Sequence, residues 1–273
     1  MNREWRVVTV AGVGLIGGSF ALALRKAGFD GRIIGVSSPA TTQAAIQRGV
    51  IDQALPLAAA AAQSDFIYLA QPIERILETL NVIDSAVRPG TLITDAGSTK
   101  QAIVERARQT IRNGRFVGGH PMAGKEARGV DAADAELFRG RPYVLTGDNA
   151  ELERWIIKIG ARLVKLAPAE HDRLVALVSH LPQLLSTALA SLIAECPGAA
   201  NVAGPAAADL TRLALSPYDI WRDIFSTNTS EIDGVLQTAI ARLETLRDQL
   251  KSQKDMAATF ARAAQAASEL RKS

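Results

Sequence analysis

The sequence predicts an α/β protein: a mostly parallel sheet flanked by helices, followed by a domain built of helices alone. Three observations carry this. A glycine-rich turn, Gly12-Val13-Gly14-Leu15-Ile16-Gly17-Gly18, joins a β-rich run (Val7, Val8, Val10) to a helix-compatible one starting at Phe20. Short apolar runs then alternate with helical periodicity through about residue 166, the pattern of repeated βα units with right-handed crossovers. After Pro168 no convincing strand follows. The boundary falls near residue 167, giving units 1–167 and 168–273.

The glycine turn has the strand–turn–helix order of a dinucleotide-binding fingerprint, so the first unit reads as a Rossmann-type domain. Gly12 permits the tight turn, Gly14 lets backbone approach a pyrophosphate, and Gly17 lets helix pack closely on strand. With Leu15 and Ile16 they form the expected cofactor-binding turn, and the N–H groups and positive dipole end of the helix that follows face the phosphates. Residues 32–36 read as the second strand, 41–48 as a helix closed by Gly49, and 65–70 as a buried strand. Residues 73–87 form a helix with Ile73, Ile76, Leu77, Leu80 and Ile83 on one stripe, ended by Pro89-Gly90. Strands at 91–95, 116–119, 142–145 and 162–166, with helices at 100–112 and 151–159, complete the sheet domain. Beyond it, 170–195 is one long helical pattern with Pro182 as a kink, and 206–215 and 218–226 are shorter helices. Residues 230–251 are amphipathic and 254–271 Ala-rich and helical.

Hydrophobic residues make up 48%, charged residues 22%, and the net charge is +3. No Lys/Arg stripe is interleaved with aromatics, so no nucleic-acid partner is expected. The single cysteine, Cys196, excludes an internal disulfide and fits a reducing cytoplasm. Residues 7–24 carry no charge, but their glycines weaken a spanning helix, and Arg3, Glu4 and Arg6 make a poor signal-peptide start. No membrane association is expected. The apolar stripe of the helical half needs a partner surface, which a second copy would supply.

An NAD enzyme normally places an acid about 20 residues past the glycines, on the ribose hydroxyls. Ser37 stands there, followed by Ser38 and Thr41. A carboxylate would repel a 2′-phosphate and hydroxyls can bond one, which leans towards NADP over NAD. Gln71-Pro72 and the turn from Asp95 through Gly97 and Ser98 to Lys100 end strands, where ligands of open α/β sheets bind. Both should line the nicotinamide side of the cleft. Ser98 also reads as an N-cap of the helix that follows. His120 is placed after a strand end, in the loop Gly118-Gly119-His120-Pro121-Met122-Ala123-Gly124. With an ordinary pKa near 6.5, it suits a base that takes a hydroxyl proton while hydride leaves the same carbon. In the helical half, Asp172, Ser179 and Gln183 share one helix face with Ala176, opposite Leu174, Val175, Leu177 and Val178. That polar face is either solvated or the wall of a cleft. The fork of Arg212 suits a carboxylate or a structural ion pair.

These pieces together resemble the prephenate/arogenate dehydrogenase family of tyrosine biosynthesis. They are the fingerprint, the turn after Asp95, Gly119-His120-Pro121-Met122-Ala123-Gly124, His171-Asp172 with Ser179-His180-Leu181-Pro182, and Thr211-Arg212-Leu213-Ala214 with Trp221. The resemblance implies oxidative decarboxylation of prephenate to 4-hydroxyphenylpyruvate, or of arogenate, with NAD or NADP and no metal. His120 would be the base on the ring hydroxyl, with Ser98 orienting that hydroxyl and the nicotinamide. Arg212 would bind a substrate carboxylate, Glu126 and Asp209 would form gating contacts, and Asp172 and Trp221 would shape the pocket. Gln183 stands where prephenate-preferring relatives often carry histidine, which leaves prephenate against arogenate open. The resemblance also implies a homodimer through the helical domain, with no added mutase or regulatory module. Other readings are a β-hydroxyacid dehydrogenase or imine reductase, and a nicotinamide-sensing module without turnover.

Overall fold

In a computed structural model, residues 5–125, 127–253 and 255–271 are described. The chain runs β1 (Val7–Ala11), α1 (Leu15–Lys26), β2 (Arg32–Val36), α2 (Pro39–Gln47), β3 (Gln53–Ala54), α3 (Leu57–Ala61), β4 (Phe66–Leu69), α4 (Ile73–Ile83), β5 (Leu92–Asp95), α5 (Gln101–Thr110) and β6 (Arg115–Val117). These six strands form one all-parallel sheet in the order β3-β2-β1-β4-β5-β6. Both faces of such a sheet are covered, so its strands are apolar throughout rather than alternating. In β4, Phe66 and Tyr68 enter one core, with Trp5 stacked on Phe66 at 4.0 Å. Ile67 and Leu69 enter the other core, beneath Ile73, Ile76 and Leu80 of α4.

The expected strand across Phe116 and Gly119 is in fact two. β6 ends at Val117, and β7 (Gly119–Pro121) starts a second sheet, β7-β8-β9, with β8 (Pro142–Leu145), α6 (Ala150–Lys158) and β9 (Arg162–Lys165). β7 runs antiparallel to β8, with His120 opposite Val144. His120 is therefore on a strand, not in a loop. The switch between sheets happens at the paired glycines, where a Cβ on Gly119 would lie 2.7 Å from the Asp95 carbonyl oxygen.

The rest is helical: α7 (Pro168–Val175), a π-helical turn over Ala176–His180, α8 (Leu181–Ala194), α9 (Pro205–Thr211), α10 (Tyr218–Thr227), α11 (Thr229–Lys251) and α12 (Ala257–Leu270). The helical run continues through Pro182, which stands in the first turn of α8. The π turn precedes it, absorbing the lost N–H donor and the clash with the carbonyl four residues back. The run Pro168–Ala194 is long and apolar enough to cross a membrane by length and composition alone. One polar face of it is turned inward, with His171, Asp172 and Gln183 buried, whereas Leu177 and Val178 are exposed along with Glu170 and Arg173.

Candidate active site

Three helix N-termini meet at the carboxyl ends of the central strands, and they are finished differently. Gly12, at φ +92°, makes the turn out of β1, and a Cβ there would lie 2.4 Å from the Ala70 carbonyl oxygen. A Cβ on Gly17 would meet the Gly12 carbonyl oxygen, so helix and turn are packed to backbone contact, while Gly14 faces open space. The start of α1 has no capping side chain and no acid in its first turn. By contrast, α4 receives the carboxylate of Asp223, which accepts from Glu74 N–H at 3.1 Å. α5 receives Asp172, whose two oxygens accept from Lys100 N–H and Gln101 N–H at 2.7 and 2.8 Å. Both carboxylates come from the helical domain. The uncapped α1 terminus is the one left for an anion, which fits the pyrophosphate of a dinucleotide.

Behind these termini lies a buried polar cluster. The Asp95 carboxylate accepts from Gly97 N–H at 2.8 Å, from Gly119 N–H at 3.0 Å and from the Lys100 ammonium. Asp95 and Lys100 have no exposed surface. Burial pushes the Lys100 ammonium below the usual lysine range, opposed by the Asp95 charge. Next to it, His120 keeps only 9% of its surface accessible. Its Nδ1 lies 2.8 Å from Nε2 of His171, whose Nδ1 lies 2.7 Å from Oδ1 of Asp172. Burial holds the His120 pKa well below the ordinary imidazole value, helped by His171, Lys100 and His180. The side chain is a neutral imidazole, a base rather than an acid. His180 is pushed down to about 4 by burial, with its Nδ1 3.3 Å from the Asn228 amide nitrogen.

Two cavities open on this region. One, of about 390 Å³, is bordered by Gly14, Leu15, Ile16, Gln71, Pro72, Gly97 and Ser98 on the sheet side and by Ile220 and Asp223 of α10. The other, of about 600 Å³, is lined by Gly124, Lys125, Gln183, Arg212, Ser216 and Trp221. Lys125, Arg128 and Ile220 border both, so the two spaces adjoin. A cleft beside the glycine turn thus leads to a pocket carrying Arg212, Lys125 and Arg128.

Family models match almost the whole chain: "Prephenate dehydrogenase, nucleotide-binding domain" over residues 20–169 and "Prephenate dehydrogenase, dimerization domain" over residues 167–263. The chain belongs to the prephenate dehydrogenase family. Prephenate dehydrogenase of Lactococcus lactis subsp. cremoris is 38% identical over 228 residues, covering 81% of this chain and 64% of that protein. The chain therefore spans somewhat under two thirds of that relative. A crystal structure of prephenate dehydrogenase from A. aeolicus, in complex with hydroxyphenyl propionate and NAD+, superposes with a TM-score of 0.91 at 27% identity, covering 99% of this chain and 100% of that one. Synechocystis arogenate dehydrogenase superposes at 0.81 with 31% identity, covering 97% and 99%.

Of the residues expected from sequence, Gly14, Leu15, Ile16, Gln71, Pro72, Gly97 and Ser98 share the wall of one cavity and Gln183, Arg212 and Trp221 that of the other, whereas His120 and Asp172 lie in the buried cluster and border neither. Gln71 is fixed by a bond from Thr79 Oγ1 to its Oε1 at 2.9 Å. Gln183 is buried beside Arg212 and Trp221, and Trp221 Nε1–H donates to Ser216 Oγ at 2.9 Å. Ser98 borders the cofactor-side cavity but does not cap α5, because Asp172 does so from across the domain junction. The hydroxyls of Ser38 and Thr41 pair with each other at 2.8 Å and cap α2, so they do not stand free at the end of β2 as Ser37 does. Asp209 is exposed on α9 and borders neither cavity. Glu126 lies outside the described residues. Sequence reasoning singled out the turn from Asp95 to Lys100 and the His171-Asp172 pair without giving Asp95, Lys100 or His171 a role, and it missed Asp223. His171 sits in the quoted His-Asp pair, but only the approach of α7 to β7 puts it against His120.

Proposed function

We propose that the chain catalyses oxidative decarboxylation of prephenate with a nicotinamide dinucleotide, yielding 4-hydroxyphenylpyruvate and CO₂. The observation that carries this is His120: a neutral, tied-back imidazole behind a fingerprint cleft that adjoins an arginine-bearing pocket. His120 takes the proton of the substrate 4-hydroxyl. As that C–O bond becomes a carbonyl-like phenolic bond, C4 gives up its hydride, and the electrons of the bond to the ring carboxylate pass into the ring, releasing CO₂ and making it aromatic. The nicotinamide, when bound, accepts the hydride. Ser98 orients the hydroxyl at the cleft edge, and Arg212 pairs with a substrate carboxylate, with Gln183 and Trp221 bounding the side chain. The protein supplies position, base and charge, not the redox chemistry itself.

Gly12, Gly14 and Gly17 would hold the pyrophosphate of the dinucleotide and Gly97 its nicotinamide side, and Ser37 at the end of β2 would meet its adenosine ribose. No carboxylate stands at the end of β2 to repel a 2′-phosphate, which favours use of NADP alongside NAD. We take residues 1–167 as the dinucleotide domain and 168–273 as the substrate and dimerisation domain, and the working unit as a homodimer. A two-by-two assay of prephenate or arogenate with NAD or NADP tests the reading. Steady reduced-cofactor production with prephenate is expected. Turnover confined to arogenate would move the assignment to that substrate, and turnover of neither would sink it.

A further inference from the structure

The hydrogen bonds around His120 determine which of its two nitrogens is bare. The Oδ1 and Oδ2 atoms of Asp172 accept from the backbone N–H groups of Lys100 and Gln101. A carboxylate only accepts. In its 2.7 Å contact with His171 Nδ1, the proton is therefore on the imidazole. A neutral imidazole with its proton on Nδ1 has a lone pair on Nε2. That Nε2 lies 2.8 Å from His120 Nδ1, so His120 must be the donor there. The reverse arrangement would need a second proton on His171, a fully buried ring in the same cluster as the buried Lys100 ammonium, and burying such a charge is costly.

We propose that His171 is a positioning residue: it accepts from His120 Nδ1–H and holds His120 in the tautomer whose Nε2 is free to take the substrate proton. His120 comes from β7 of the sheet domain, whereas His171 and Asp172 come from α7 of the helical domain. The Asp172 bonds to the start of α5 tie α7 at a fixed distance from β7. The base is therefore in working order only when the two domains are docked. A third ring, His180, belongs to the same surroundings but bonds to Asn228 instead.

The inference rests on His120 as the base, but its test reads the tautomer without substrate. A failure of the relay and a failure of prephenate turnover are then separate results. The chain has three histidines, so ¹⁵N-histidine labelling with long-range proton–nitrogen correlation resolves each ring, and His171→Phe and His120→Asn assign the signals. In the wild type at neutral pH, His120 is expected to carry its proton on Nδ1. In His171→Phe that preference is expected to be lost, and kcat to fall by about 100-fold, the scale of a positioned base, with cofactor affinity little changed and Tm lowered by the loss of two buried hydrogen bonds. His171→Gln, whose carboxamide can accept from His120 and donate to Asp172, should recover at least about a tenth of wild-type kcat. A wild-type His120 protonated on Nε2 would overturn the proposal. So would a His171→Phe enzyme that keeps either its kcat or its tautomer.

Discussion

At the scale of the residue, the proposed chemistry concentrates on two side chains with opposite surroundings. His120 is enclosed and neutral, and Arg212 is exposed at the rim of its pocket. Replacing His120 by Asn should lower kcat by about 10²- to 10⁴-fold, while the dissociation constant for the dinucleotide, read by fluorescence titration, stays near wild type. Arg212→Ala should chiefly raise KM for the substrate, and an unchanged KM would remove it from carboxylate binding. The pH dependence follows from burial. The His120 pKa in the folded protein lies well below 6.5, set first by desolvation and then by His171, Lys100 and His180, and His180 sits at about 4. A histidine with a depressed folded pKa contributes stability that is present above its unfolded value of about 6.5 and lost as pH falls through the folded value. Tm should therefore drop progressively between about pH 6.5 and about pH 4, and a Tm flat across that window would contradict neutral burial. His120 as a candidate was legible from its glycine-flanked setting. Its environment was not, because the residues that set it are distant in sequence.

At the scale of the element, the helix termini show how the two domains are joined. α1 keeps its N-terminus open for the dinucleotide, while Asp223 and Asp172 close those of α4 and α5 from the helical side. No local pattern announces these caps, since donor and acceptor are 149 residues apart in one case and 71 or 72 in the other. Ser98 was the local candidate for the cap of α5, and a distant carboxylate displaced it. Asp223→Ala should destabilise by about 0.5–2 kcal/mol, the usual cost of a lost N-cap, measured by chemical denaturation. Most strands and helices were legible to within a few residues, because apolar runs and 3.6-residue stripes are local signals; the two-residue edge strand β3 and the short α3 were not read, being too short to show a period. The break at Gly118-Gly119 was not, because leaving one sheet for another depends on Asp95 holding Gly119.

At the scale of the whole molecule, the helical domain buries part of a polar face and leaves part of an apolar one exposed. Its polar face on α7 and α8 carries buried Asp172 and Gln183, while Leu185 and Leu192, two turns apart on α8, are exposed at 42% and 64%. Exposed apolar faces of this kind mark interaction surfaces, and here they fall within the segment matched by the family's dimerization domain. Leu185→Glu combined with Leu192→Glu should convert the proposed homodimer to monomers in light scattering. A wild-type monomer would refute the dimer outright. By itself, the sequence determined the order of strands and helices, the fingerprint, and the family carried by the His120 and Arg212 motifs, all written in neighbouring residues. Only the tertiary structure decided which side chains act together: His171 on His120, Asp172 and Asp223 on two distant helices, polar face inward and apolar face outward. Those choices depend on how the helical domain docks on the sheet, and docking is a property of the packed surfaces rather than of any stretch of chain.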